Sequence, residues 1–172
     1  MRGRHGRVEA ITIITPVRGW WSWWLRLSWP FARGNPLVLR PLLRLAFIHF
    51  AHWSLIRRGR GRYLLFQSNF NGDVKQYVDA FSLTVPGRMR LMWGGAHGFP
   101  GPRPMERFKR FIFGRAIPAD HYWSAYPEAT TRMVTDALDI RARYGEVDAI
   151  EAGPEAFAAA YRRFIIAVQN KL

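Results

Sequence analysis

The side chains with the most distinctive chemistry in this sequence are the tryptophans and arginines of its first third. Residues 1–62 contain 12 arginines, no lysine and one acidic residue, and five of the eight tryptophans lie between residues 20 and 29. Indole rings settle at the headgroup depth of a bilayer, and guanidinium groups reach anionic phosphates. This composition predicts contact with an anionic membrane surface or with a membrane protein complex. The predicted contact residues are Arg18, Trp20, Trp21, Trp23, Trp24, Arg26, Trp29 and Arg33.

Two other interpretations of the same segment stay open. In the first, the tryptophans cover one face of a sheet or a subunit interface, and the arginines are merely solvated. In the second, the arginines and aromatic rings bind nucleic acid, since stacking rings and basic side chains are typical of single-strand binding. The sequence contains no recognised nucleic-acid module, so nucleic acid is the least favoured partner.

Composition and segment lengths exclude several classes of protein. The 172 residues contain no cysteine, which excludes disulfides, thiolate metal sites and cysteine nucleophiles. The longest uncharged apolar run, residues 45–56, has 12 residues, whereas a membrane-spanning helix needs roughly 20. The short apolar run at residues 11–14 does not support a secretion signal. We therefore expect a cytoplasmic protein that is peripheral to the inner membrane.

The order of the predicted elements indicates an α+β fold. A β-branched run at residues 8–15 predicts a strand, and the Trp/Arg-rich residues 18–44 predict a broken helical crossover. Residues 46–56 and 63–70 predict a hairpin across a basic, glycine-containing turn. Asp73 is placed to cap a following helix whose apolar positions recur with helical spacing.

The second half of the chain is predicted to be mostly helical. Apolar residues alternate with others over 89–93, which predicts a fourth strand running into the glycine- and proline-rich loop 94–104. A short strand or extended segment is predicted over 121–126. Two terminal helices are expected to begin at Pro127 and Gly153, the second with a complete apolar stripe.

These elements together predict one domain over residues 1–172. Their order is that of a ferredoxin-like βαββαβ antiparallel sheet with helices on one face and a helical C-terminal extension. The predicted parts are a basic tail at 1–7, a ferredoxin-like core at 8–95 with the crossover at 18–44, and a loop and helical extension at 96–172.

Carboxamides on a predicted strand point to a pocket floor or a buried polar network. Gln67, Asn69 and Asn71 share one strand face because successive side chains alternate. Aromatic residues from other segments are expected to rim such a site, although turn and capping chemistry explains several of these residues equally well. The candidate pocket residues are His49, Gln67, Asn69, Asn71, Asp73, Trp93, His97, Tyr122, Ser124 and Tyr126.

No residue spacing predicts a metal centre or a catalytic group. His49 and His52 are the only close histidine pair, and on the predicted strand their odd spacing sends them to opposite sides. A haem iron needs one axial imidazole, so histidines are single candidates only. No hydrolase elbow, phosphate loop or dinucleotide fingerprint is present. The single candidates are His49, His52, His97 and His121.

Three stretches carry a resemblance to a known group of proteins. They are Phe47-Ile48-His49-Phe50-Ala51, Leu64-Leu65-Phe66-Gln67-Ser68-Asn69-Phe70-Asn71-Gly72 and Tyr122-Trp123-Ser124-Ala125-Tyr126-Pro127. Over residues 45–135 the chain resembles uncharacterised bacterial proteins with a ferredoxin-like core. That core is similar to the dimeric α+β barrel superfamily, which includes dye-decolourising peroxidases, chlorite dismutases and small monooxygenases.

This resemblance implies a homodimer whose sheets enclose an apolar pocket, which in some members holds haem. The Gly-x-x-Asp-Gly signature of dye-decolourising peroxidases is absent, because residues 69–73 read Asn-Phe-Asn-Gly-Asp. The leading hypothesis is a membrane-surface accessory or ligand-binding protein that docks through its Trp/Arg-rich segment. The alternative is a haem- or small-molecule-dependent oxidoreductase, and nucleic-acid binding is third.

Overall fold

A computed structural model describes residues 8–43, 45–149 and 153–171, and shows an α+β protein with a four-stranded antiparallel sheet. The described chain forms two compact units, one ending at Glu128 and one beginning at Ala129. The elements in chain order are β1 (Val8–Pro16), α1 (Gly19–Ala32), α2 (Pro36–Leu43), β2 (Ile48–Arg58), β3 (Gly61–Asn71), α3 (Val74–Thr84), α4 (Pro86–Trp93), α5 (Met105–Phe113), β4 (Ala116–Ile117), α6 (Thr131–Asp148) and α7 (Pro154–Val168).

The sheet has the strand order β2-β3-β1-β4. As its β-branched composition predicts, β1 is a strand, and it pairs antiparallel with β3 from Val8 opposite Asn71 to Pro16 opposite Tyr63. The predicted hairpin is confirmed, since β2 and β3 pair antiparallel across a tight turn. Gly59 adopts a φ of 58° in that turn, a conformation that glycine enters without a steric penalty.

The predicted fourth strand at 89–93 is wrong, because this segment belongs to α4. Pro86 lies in the first turn of the helix, and Met89 and Trp93, four residues apart, share its buried face. Arginine, leucine and methionine are good helix formers, which favours a helix here. In that helix the apolar and basic residues lie on different faces. The observed fourth strand is the two-residue β4, which pairs with Thr12 and Ile13 of β1.

The chain between β4 and α6 also departs from the sequence prediction. No strand forms over residues 121–126. The first terminal helix does not begin at Pro127, whose carbonyl instead accepts a hydrogen bond at 3.1 Å from the N–H of Val8, the first residue of β1. The helix begins instead at Thr131, and its N-cap Thr130 accepts a first-turn backbone N–H at 3.1 Å.

The core of the first unit lies between the sheet and helices α1, α3, α4 and α5, all on one face. Aromatic rings form its centre: Trp93 lies 5.3 Å from Phe66 between ring centroids, and Trp53 lies 5.0 Å from Phe66. Such pairs contribute beyond the apolar area that they bury. Other buried core residues are Ile11, Ile13, Leu25, Leu64, Phe70, Tyr77, Val78, Phe81, Met89, Phe108 and Ile112.

The second unit is a pair of helices, α6 and α7. Pro154 opens α7, as its sequence predicts. Asp139 of α6 accepts a hydrogen bond from Arg143 Nε of the same helix at 2.8 Å and another from Lys171, which follows α7. The hydrogen bond from Lys171, which has the larger effect, and the one from Arg143 hold the pKa of Asp139 below its ordinary value. The pairing of Lys171 with Asp139 therefore links α6 to the residues that follow α7.

The position of α1 is set by the ring of Trp21. A Cβ atom added at Gly95 would overlap this ring, so the indole lies directly against the glycine backbone. That backbone is itself fixed, because the Gly95 carbonyl accepts the Arg18 N–H at 3.0 Å. Trp21 Nε1 also donates to the Met92 carbonyl at 3.4 Å. Only a residue without a side chain permits this approach.

We expect Gly95→Ala to destabilise the protein by about 1–3 kcal/mol, the usual cost of overpacking a filled site. Gly87→Ala in α4 is the matched control, because a Cβ there meets no atom within 4 Å. Denaturant unfolding of both variants measures the difference. Equal stability of the two variants would show that the Trp21 contact is not tight.

Tyr77 of α3 is a buried titratable group in this core. Its ring stacks on Phe70 with centroids 4.1 Å apart and meets Phe81 edge-on at 4.9 Å. Burial raises the pKa of the Tyr77 hydroxyl above its ordinary value of 10.0, and the nearby Ser68 hydroxyl offsets part of that rise. The folded state therefore keeps this phenol neutral at pH values where the unfolded chain ionises it.

Because the folded-state pKa of Tyr77 is raised, its stabilising effect is complete below about pH 10 and declines as the pH rises further. The free energy of unfolding should fall by up to about 1.4 kcal/mol per pH unit from this group. Tyr77→Phe should flatten the decline between pH 9.5 and 11.5 in urea titrations. Tyr126→Phe, at a position 75% exposed, should leave the decline unchanged. A Tyr77→Phe protein with the wild-type profile would refute this assignment.

Candidate functional site

Helix α1 presents a continuous apolar stripe to solvent. The exposed fractions are 62% for Trp20, 57% for Trp23, 69% for Leu27 and 81% for Phe31, and Trp24 is also exposed. Their spacing of three and four residues places them on one side of the helix. We call these five residues the α1 stripe. Contiguous apolar surface of this kind marks an interaction site.

The tryptophans that the sequence grouped together divide between the two sides of α1. Trp20, Trp23 and Trp24 point outward, whereas Trp21 and Trp29 pack against the core. The structure adds Leu27 and Phe31, residues that the sequence prediction missed although helical periodicity could have found them.

None of the described helices is long and apolar enough to cross a membrane.

A basic turn lies at the same end of the sheet as the first turn of α1. We use this name for residues 57–62, which comprise the end of β2, the tight turn and the start of β3 and carry Arg57, Arg58, Arg60 and Arg62. The Val17 N–H donates to the Arg62 carbonyl at 2.9 Å, and Arg62 Nη1 donates to Ser22 Oγ at 2.8 Å. The basic turn and the α1 stripe are therefore parts of one surface, which sequence separation had concealed.

The charged residues that α1 and the basic turn contribute to this surface are all arginines. The Trp23 ring has two arginine neighbours, with Arg62 at 5.5 Å and Arg26 at 6.0 Å from the ring centroid. Arginine over an indole face adds a cation–π attraction. The sequence has no aspartate or glutamate between residues 10 and 72. The surface is consequently apolar at its centre and basic at its margins, and the segments that form it contribute no acidic residue.

An apolar cavity lies behind α1, between that helix, β2 and α4. Its volume is about 630 Å³, which is within the range of about 300–1,000 Å³ for small-molecule sites. Trp24 and Phe31 of the α1 stripe also line it, so the cavity adjoins the exposed surface. Its wall includes Leu25, Trp29, Ala51, Trp53, Phe81 and Met89.

The predicted carboxamide row lies on the opposite face of the sheet from the helices. As alternation predicts, Leu64, Phe66, Ser68 and Phe70 are buried and the residues between them are half-exposed. Gln67 Nε2 donates to Thr12 Oγ1 at 3.4 Å, and Asn69 Nδ2 donates to the Tyr122 hydroxyl at 2.9 Å. This row is a polar network on a partly open sheet face.

Apart from His49, which contacts Asn71, the remaining pocket candidates do not gather into this row. Trp93 is 2% exposed and lies in the core on the helix side of the sheet, because its segment is a helix and not the predicted strand. Asp73 caps α3, with Oδ1 accepting the Lys75 N–H at 2.7 Å. His97 and Tyr126 are exposed, and Ser124 is half-buried.

The histidines offer no metal centre among the described residues, where no group of three or more metal-ligating side chains occurs. His49 Nε2 lies 2.9 Å from Asn71 Oδ1. A register shift between Ile48 and Phe50 interrupts the alternation on which the prediction for His49 and His52 depended. His52, His97 and His121 are exposed.

The cavity does not fit a haem with an imidazole ligand. No histidine is among the described residues that line it, and the four candidates lie elsewhere. A haem iron in a peroxidase-type site takes an axial histidine. The wall of this cavity is instead aromatic and aliphatic, which suits an apolar ligand.

Comparison with known proteins gives no relative from which a role could be transferred. No family model, curated protein or solved structure matches this chain significantly. The function is therefore argued from the geometry of the α1 stripe, the basic turn and the cavity.

Proposed function

We propose that this protein is a peripheral membrane protein that docks on an anionic bilayer through the α1 stripe and the basic turn. The observation that carries the proposal is the exposure of Trp20, Trp23, Leu27 and Phe31 along one side of α1. A helix with exposed aromatic and aliphatic residues and flanking arginines is typical of interfacial binding. The role that fits is an accessory or ligand-binding subunit held at the membrane surface.

Two kinds of contact support this docking. The indoles and aliphatic side chains of the stripe leave water on entering the headgroup region, which favours binding by roughly 25 cal/mol per Å² of apolar surface. Arginines near an anionic surface add about 1 kcal/mol each. The convergence of Arg62 on Ser22 and Trp23 brings both kinds of contact to one surface.

We propose that the first unit is a ferredoxin-like variant. Its support is the strand order β4-β1-β3-β2 with antiparallel neighbours, together with helices between β1 and β2 and between β3 and β4. The two-residue β4 and the third helix between β3 and β4 are departures that such a variant includes.

Removal of two exposed indoles tests the stripe. We expect Trp20→Ser/Trp23→Ser to lower binding to vesicles of phosphatidylglycerol and phosphatidylcholine at least tenfold, because the apolar contact is lost. Trp123→Ser is the matched control, since Trp123 is 75% exposed but lies outside the stripe. Vesicle co-sedimentation at low salt measures both. If the wild-type chain fails to sediment, or if the control loses as much binding as the double variant, the proposal is wrong.

Charge removal tests the basic turn separately. Arg58→Gln/Arg60→Gln should weaken binding to the same vesicles by about 2 kcal/mol, or roughly 30-fold. Added salt should reduce wild-type binding more steeply than binding of this variant. Arg163→Gln, in α7, is the control and should retain wild-type affinity. Equal salt dependence of wild type and double variant would exclude a role for the turn.

A further inference from the structure

The cavity behind α1 has the chemistry of a binding site for a long-chain anionic amphiphile. We propose that it holds the alkyl chain of a long-chain fatty acid, with the carboxylate at Arg33 and Arg88. This proposal concerns ligand binding in solution and does not depend on membrane docking. Its basis is the shape of the cavity, the placement of the two arginines and the absence of acids around them.

The wall of the cavity is apolar over most of its surface. Its lining includes Trp24, Trp29, Trp53, Phe81 and Met89, and its volume of about 630 Å³ is sufficient for a small-molecule ligand. The space is open on the sheet side because the residue of β2 that faces it, Ala51, has a small side chain. A water-filled cavity needs several polar partners for its waters, whereas this wall favours hydrocarbon.

Two arginines supply the polar end of the site. Arg33 follows the last turn of α1 and is exposed, and Arg88 lies in the first half of α4. Arg88 Nη2 donates to the Leu37 carbonyl at 2.6 Å, which uses one of the five N–H groups of its guanidinium. No described acidic residue pairs with Arg33 or Arg88, and none lines the cavity.

An arginine fork binds a carboxylate with two parallel hydrogen bonds. A ligand with an apolar body and one carboxylate therefore matches both parts of the site, while an uncharged ligand of the same length leaves the arginines unpaired. A linear chain also suits a wall that contains Met89 and Met92, since methionine adapts its shape to its neighbours. These features favour a fatty acid over a rigid, planar cofactor.

The test uses the purified full chain without vesicles and the fluorescent fatty acid cis-parinaric acid as the probe. We expect saturable binding at one site per chain, with energy transfer from nearby tryptophans. Palmitate should displace the probe. The methyl ester of the probe should bind at least fivefold more weakly, because it cannot accept the paired arginine hydrogen bonds.

Variants separate the cavity from the rest of the surface. Ala51→Phe and Ala32→Phe fill it from the sheet and the helix side, and each should weaken binding at least tenfold. Arg33→Gln/Arg88→Gln should weaken binding of the acid but not of its ester. Arg26→Gln, an exposed α1 position outside the cavity lining, is the matched control and should bind normally.

The outcomes are decisive in either direction. Absence of saturable binding by the wild-type chain, or full binding by both filled variants with native circular dichroism, overturns the site. Equal affinity for acid and ester overturns the assignment of the arginines. Vesicle sedimentation of Ala51→Phe is expected to match wild type, so failure of the fatty-acid site and failure of membrane docking are distinguishable.

Discussion

The contact between the Trp21 indole and the Gly95 backbone determines how the functional surface is presented. A helix on a sheet can rotate about its axis, and each residue of rotation turns its faces by about 100°. With Trp21 held against Gly95, Ser22 and Leu25 are buried and Trp23 turns to solvent. Without this contact, the same helix could bury its tryptophans and expose its serines. The exposed stripe is thus a consequence of tertiary packing.

The packing of α1 also bounds the cavity. Trp21, Leu25 and Trp29 hold the helix against the core. The cavity lies between α1, Ala51 of β2 and the start of α4 and opens to solvent at Phe31. The indole Nε1 atoms of Trp53 and Trp93 are buried without a described hydrogen-bond acceptor, at a cost of about 1–3 kcal/mol each. This interior is not optimised for stability alone.

Local signals predicted much of the first unit. β-Branched residues predict strand β1, a glycine-containing turn predicts the hairpin, and the side chain of Asp73 predicts the helix cap. Each of these signals lies within a few residues of the element that it specifies. The alternation over residues 89–93 misled because it fits a short helix as well as a strand. Strand β4 has only two residues, which is too short for a recognisable sequence pattern, and it forms through its pairing with β1.

The candidate site was predictable in composition but not in geometry. The sequence identified the Trp/Arg-rich segment, yet it could not divide Trp21 from Trp23, because that division depends on Gly95, which lies far along the chain. The sequence predicted that the arginines of the basic turn lie in a hairpin turn, but it did not predict that they lie near α1. Their proximity to α1 depends on the backbone hydrogen bond between Val17 and Arg62. The placement of Gln67, Asn69 and Asn71 on one face of β3 was predicted correctly because strand alternation is local.

Charge and apolar surface act over different distances at the proposed docking surface. At physiological ionic strength the electric field of the arginines extends about 8 Å before it is screened. Under the proposed function this field would orient the protein before contact with a bilayer. The indoles of Trp20 and Trp23 would act only on contact, when they leave water. The core is formed by buried residues such as Leu25 and Trp93, whereas Trp20 and Trp23 of the stripe are exposed. Arg62 is the exception in the basic turn, because its side chain also hydrogen-bonds Ser22 of α1. The exposed residues Trp20, Trp23, Arg58 and Arg60 can therefore be altered without loss of the core.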